Sequence, residues 1–358
     1  MTTKGRKQKT VKLSIIISVT LSIAIILAIW YLTIDADTFE KLRTVKIRYE
    51  FFILAIFLNI LYWFLWGARL KILANAIDPN VKISFWKSTK IVIANLFLAG
   101  ITPSMAGGEP VRIYLLNKEG MSIGGSTATV LGERLIDAFF ILLVAPFGFF
   151  IYKDKLSSEY LSSGLWIGVI VFILLIILFI FAILKPEKVK SFLIYLNKKL
   201  NRILKKQESE SKIIKKIGDE VDNFHNSMTC FVGERKKALF IAGILTVLFW
   251  STGFMIPSMI FLGLGLPPFF VESYAAQILL LVIIMMPTTP GSTGVAELSI
   301  AGLYGVLIGS TLLGVFIVLY RFISYHMNLI AGVIFQYRIF RSVASFSMDM
   351  IKKDEGDK

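Results

Sequence analysis

One short pattern occurs twice in this chain, each time inside apolar sequence. The first copy is Thr102-Pro103-Ser104-Met105-Ala106-Gly107-Gly108-Glu109, followed by Arg134. The second is Thr289-Pro290-Gly291-Ser292-Thr293-Gly294-Val295-Ala296-Glu297, followed by Arg321. Thr102, Pro103, Gly107, Arg134 and Ile136 meet Thr289, Pro290, Gly294, Arg321 and Ile323 at a single offset of 187 residues, and the glutamates are out of step by one. Pro and Gly break helices. Paired interruptions at matching places in two hydrophobic halves point to a transporter-like site near the middle of the bilayer.

Composition agrees with a membrane setting. Hydrophobic residues make up 56% of the 358 positions and charged residues 18%, against about 45–50% and about 25% in soluble domains. The chain is therefore expected to be an all-α polytopic membrane protein. With two His and one Cys, no metal site, disulfide or cofactor is expected. The net charge of +15 is read as cytoplasmic loops facing anionic lipid, and no nucleic-acid partner is expected.

Spans of roughly 20 apolar residues are predicted at 12–34, 51–68, 126–152, 164–184, 238–262 and 312–338. The stretches 89–106 and 274–290 run into the two motifs and are read as re-entrant or broken helices; the rival count makes them full spans. Basic residues Lys4 to Lys12 put the N-terminus in the cytoplasm. Arg69, Lys71, Lys82, Lys87 and Lys90, counted as following the second span, are placed on the same side. So are the fourteen Lys/Arg of 185–237 and the C-terminal Arg338, Arg341, Lys352 and Lys353. Six spans and two re-entrant segments satisfy this pattern. Each half then holds three spans and one re-entrant segment, so the second half is inverted relative to the first. Shifting 51–74 by the offset lands on 238–261, within the fifth span. The organisation expected is a first half over 1–152, a span at 164–184 opening the second half, and a basic helical hairpin over 185–237. The rest of the second half follows over 238–340, then a charged tail over 341–358.

Seven charged residues lie in or beside these membrane segments: Glu109, Arg112, Glu133, Arg134, Asp137, Glu297 and Arg321. An isolated charge at the bilayer centre costs on the order of 3 kcal/mol even on lenient scales. These side chains must therefore face protein or a wet cavity and find partners. Glu133 and Asp137 stand at i and i+4, on one helix face, and Arg134 can pair with Asp137 at i+3. Arg321 needs a partner from elsewhere, such as Glu109, Glu297 or a ligand. Arginine suits a phosphate because its planar fork binds bidentately. A purely structural ion-pair network is the competing reading. No nucleotide-binding or hydrolase motif is present.

Taken in order, four motifs resemble the flippase-like membrane region of lysylphosphatidylglycerol synthases. They are Gly107-Gly108-Glu109-Pro110-x-Arg112, Glu133-Arg134-x-x-Asp137, Pro290-Gly291-x-x-Gly294-x-x-Glu297 and Tyr320-Arg321. The resemblance covers roughly 10–340. It implies a lipid-handling protein whose partners are membrane lipids, anionic or phosphate-bearing. The aminoacyl-transferase domain that follows this region in the synthases has no counterpart here, so synthesis of lysyl-lipid is not expected. The expectation is a flippase-like transporter that moves a phosphate-bearing headgroup between leaflets. In it Arg112, Arg134 and Arg321 would contact phosphate, with Glu109, Glu133, Asp137 and Glu297 balancing them. Two alternatives stay open: a membrane transferase acting on phospholipid or polyprenyl-phosphate, and a transporter of small organic anions.

Overall fold

The computed structural model describes residues 46–102, 107–152, 235–284 and 295–335, with scattered positions in 40–44 and 170–233. Every described element is helical: α1 Tyr49–Ile77, α2 Phe85–Ile101, α3 Gly108–Lys118, α4 Ile123–Tyr152, α5 Lys236–Gly263 and α6 Phe270–Ile284. Then come α7 Val295–Gly309 and α8 Thr311–Phe335. Among the described residues α1, α4, α5 and α8 are long and apolar enough to cross a membrane. The predicted span 12–34 lies outside the described residues, and 164–184 is described only at isolated helical positions.

The first of the two segments read as re-entrant is short. α2 has 17 residues, roughly 25 Å against a hydrocarbon core of about 30 Å, and α6 is described as far as Ile284. One pair of helix starts follows the spacing of the motif: α1 and α5 begin 187 residues apart. α3 turns into α4 through Gly120 (φ 106°), and α7 turns into α8 through Gly309 (φ 67°). Both glycines hold a left-handed backbone that a side chain would strain.

Helices far apart in sequence pack on one another. α1 lies along α5 in the most extensive helix pair, and α6 packs on α4. α2 meets α8 where Phe97 and Ile101 pack with Tyr325 and Leu329. The Tyr325 hydroxyl donates to the Gly100 carbonyl over 2.9 Å. The main core gathers Phe254, Phe261, Tyr304 and Phe316 from α5, α7 and α8. Phe139, Leu143, Phe147 and Phe150 of α4 and Phe240, Ile244 and Val247 of α5 are exposed, as apolar side chains facing lipid would be.

Of the basic segment 185–237, the described positions other than Lys185 and Arg235 are helical. There Lys190 reaches Asp222 at 2.7 Å and Glu187 at 2.9 Å. The hydrogen bond to Asp222, then that to Glu187, hold the Lys190 ammonium above its ordinary pKa.

The α1–α2 contact depends on a missing side chain. A Cβ at Gly67 would come within 2.9 Å of the Thr89 backbone Cα, which cannot retreat without moving the helix. Gly67→Ala should therefore destabilise the protein by about 1–3 kcal/mol. Gly243, with nothing near its Cβ position, should accept alanine with no loss. Thermal unfolding of the two variants in detergent checks this.

Candidate functional site

The first motif is a joint between two half-helices. α2 is capped by Thr102, whose hydroxyl donates back to the Leu98 carbonyl over 2.6 Å and accepts from the Gly107 amide over 2.9 Å. One side chain thereby ties the last turn of α2 to the first of α3. Glycine is required here by crowding: a Cβ at Gly107 would strike the Thr102 side chain, and one at Gly108 would lie 2.5 Å from Asn95 Oδ1. Pro110 falls in the first turn of α3, where its missing N–H is harmless. Glu109 in that turn complements the positive helix end. Pro103 lies outside the described residues, as do Thr289, Pro290, Gly291 and Gly294 of the second copy.

α3 and α4 bring the predicted charges of the first half together around a residue that the sequence reading misplaced. Arg69 was counted among the cytoplasmic charges after the second span. Instead α1 continues past it to Ile77, and its side chain is 0% exposed. Its Nε donates to Glu133 over 3.0 Å. Its Nη1 donates to Asp137 over 2.5 Å and to Thr246 over 2.9 Å, and its Nη2 reaches the second oxygen of Asp137 at 3.2 Å. The Phe249 ring faces its guanidinium at 4.8 Å. The helix can carry this charge inward because two carboxylates on one face of α4 receive it. The signal was available: apolar residues continue on both sides of Arg69 in the sequence. Thr246 and Trp250 of α5 carried no such signal; the Trp250 indole donates to Asp137 over 3.0 Å.

Arg112, also 0% exposed, donates to the other oxygen of Glu133. Arg134 donates to Glu109 through Nε over 2.9 Å and through Nη2, and lies 3.8 Å from Asp137. Arg112 stands 3.9 Å from Glu109, closing a chain of alternating charge. Three arginines thus face three carboxylates, and burial grades across them. Arg69, Arg112 and Glu133 are sealed, whereas Arg134 is 39% and Glu109 31% exposed.

The second half carries one such pair. Arg321 Nε lies 2.7 Å from Glu297 Oε1, with side chains 7% and 0% exposed. Glu297 occupies the first turn of α7 as Glu109 does that of α3. The remaining charges have no charged counterparts. At 187 residues beyond Arg69, Arg112, Glu133 and Asp137 stand Ile256, Ser299, Tyr320 and Ser324. A neutral network runs there: the Tyr320 hydroxyl donates to Gln277 over 2.7 Å, and Gln277 donates to Tyr304 over 2.7 Å. A π-turn at Phe322–His326 follows Arg321, a feature frequent at functional sites. His326 Nδ1 lies 3.1 Å from the Arg321 carbonyl within it. No group of side chains among the described residues could hold a metal ion.

Comparison with known families decides the kinship. Residues 15–332 match the family described as the lysylphosphatidylglycerol synthase TM region. The chain belongs to that family. Among its relatives, a UPF0104 membrane protein of Archaeoglobus fulgidus is 31% identical over 320 residues, covering 89% of this chain and 94% of the relative. A UPF0104 membrane protein of Pyrococcus horikoshii is 25% identical over 297 residues, covering 82% and 86%. One of Methanocaldococcus jannaschii is 28% identical over 252 residues, covering 69% and 72%. No solved structure matches the chain. The protein is thus a multi-pass membrane protein of a lipid-related family.

Removing the central cation tests how this member of the family is held together. Arg69→Met leaves Glu133 and Asp137 short of a buried counter-charge and should cost about 3–5 kcal/mol. Arg134→Gln, at the half-exposed end, should cost about 1 kcal/mol or less. Thermal unfolding of the purified variants measures the order.

Proposed function

We propose that the protein moves a phosphate-bearing lipid headgroup between leaflets, and that the headgroup first meets the Arg134–Glu109 pair. The observation that carries this reading is the gradient of exposure across the charge cluster. Deep in the protein every carboxylate is committed to a sealed arginine, while at the edge one arginine and one glutamate stay accessible. A scaffold would gain little from leaving the outer pair half-solvated, where an ion pair contributes about 0–1 kcal/mol. As a docking point the pair offers a planar cation for phosphate and a carboxylate for any cationic part of the headgroup.

The remaining predicted residues take supporting places in this reading. Arg112, Glu133 and Asp137, with Arg69, fix the local charge so that the outer pair can exchange partners without stranding a charge inside. Arg321 and Glu297 belong to the matching place in the other half. The exchanged packing of α2 and α6 and the shared helix spacing support two halves related by inversion, able to rock about the α1–α5 contact. In this arrangement both termini face the cytoplasm.

A leaflet-exchange assay tests the reading. The protein is reconstituted into liposomes containing fluorescent phospholipids of different headgroups, and a membrane-impermeant quencher reports the label reaching the outer leaflet. Exchange should depend on headgroup and fall at least about tenfold in Arg134→Gln, the equivalent of one charge-assisted contact. Exchange unchanged in that folded variant would sink the docking assignment. Absence of exchange for every headgroup tested, with folded protein, would sink the transport reading.

A further inference from the structure

The two equivalent ion pairs differ in how their arginines are used. Arg134 is accessible and spends Nε and Nη2 on Glu109. Arg321 is sealed, yet its Nη2 has no hydrogen-bond partner among the described residues. Its Nε meets Glu297 at 2.7 Å without the geometry of a hydrogen bond. A guanidinium so buried ordinarily spends its N–H groups, because an unsatisfied buried donor costs about 1–3 kcal/mol. The rest of the surroundings favour an anion beside it. Tyr325 supplies an aromatic face 4.0 Å from the guanidinium. The positions matching Glu133 and Asp137 hold Tyr320 and Ser324, so the two carboxylates that surround the first-half arginines are replaced by neutral hydroxyls.

We propose that Arg321 is a second seat for a phosphate group and that Glu297 is its internal surrogate, a carboxylate that occupies the guanidinium until phosphate displaces it. The inference rests on the transport reading above and deepens it. The headgroup docks at the open Arg134–Glu109 pair in one half and is passed to the sealed Arg321–Glu297 pair in the other. The same chemistry would serve the phosphate of a lipid headgroup or free phosphate.

Equilibrium binding to the purified full chain in detergent tests this, with dihexanoyl phosphatidylglycerol and inorganic phosphate as separate probes. Glu297→Gln removes the surrogate charge and keeps the side-chain shape. It should bind the lipid about tenfold more tightly than the unaltered protein, and the lipid should raise its thermal midpoint by more. The gain should vanish in Glu297→Gln/Arg321→Gln, a neutral pair that leaves no buried charge stranded and so guards against misfolding. It should survive in part in Glu297→Gln/Arg321→Lys. A folded Glu297→Gln that binds both probes as the unaltered protein does overturns the proposal, as does a gain that persists without Arg321. A gain with lipid alone assigns the seat to a headgroup; an equal gain with inorganic phosphate keeps the seat and assigns it to the free ion. Arg134→Gln separates the two readings. If it leaves exchange intact while Glu297→Gln still gains affinity, the docking assignment fails and the second seat stands.

Discussion

Charge compensation around Arg69 is the constraint on which the first half of the protein depends. Burying a guanidinium in a low-dielectric setting is tolerable only if carboxylates and hydrogen-bond acceptors surround it. Arg69 finds Glu133, Asp137 and Thr246. Because those partners sit on α4 and α5 while Arg69 sits on α1, the pairing fixes how three spans approach one another. It also commits the sealed carboxylate oxygens, leaving Arg112 to complete Glu133 and Arg134 to find Glu109 at the rim.

The surroundings of Arg134 and of Arg321 differ in how they are bonded. Around the first copy of the pattern the network is ionic; around Arg321 a single ion pair to Glu297 stands beside the neutral network of Tyr320, Gln277 and Tyr304. An ionic network is stiff, since breaking any member strands a charge; a network of neutral hydroxyls and an amide can re-form with other partners at smaller cost. Gly309 makes the corner between α7 and α8.

Much of this was legible in the chain. The first Thr-Pro/Gly pattern marked where α2 gives way to α3, since residues that end helices stand out in apolar sequence; the second lies outside the described residues. The joint made by Thr102, Gly107 and Gly108 follows from their small size and polarity. Glu133 and Asp137 were placed on one face by helical spacing, and both do face Arg69. Arg69 itself was misread because a positive charge at the end of a hydropathic window looks like the start of a loop. The apolar residues beyond it hint that the span continues, and its distant partners, 64 and 68 residues away, show that it is interior. Likewise, Trp250 and Gln277 become part of the networks only through tertiary contacts; nothing local marks them.

The π-turn after Arg321 sets the direction of everything that follows on α8. One extra residue in a turn rotates the rest of a helix by about 100° relative to the part before it. Above the turn, Arg321 faces Glu297. Below it, Asn328 accepts from the Trp63 indole at 2.8 Å, and Gly332 makes room for Phe97. The turn works as a rotary offset, letting a single helix present one side to the ion pair and a different side to α1 and α2. The register of the ion pair and the docking of α2 are in this way geared to each other through five residues of backbone.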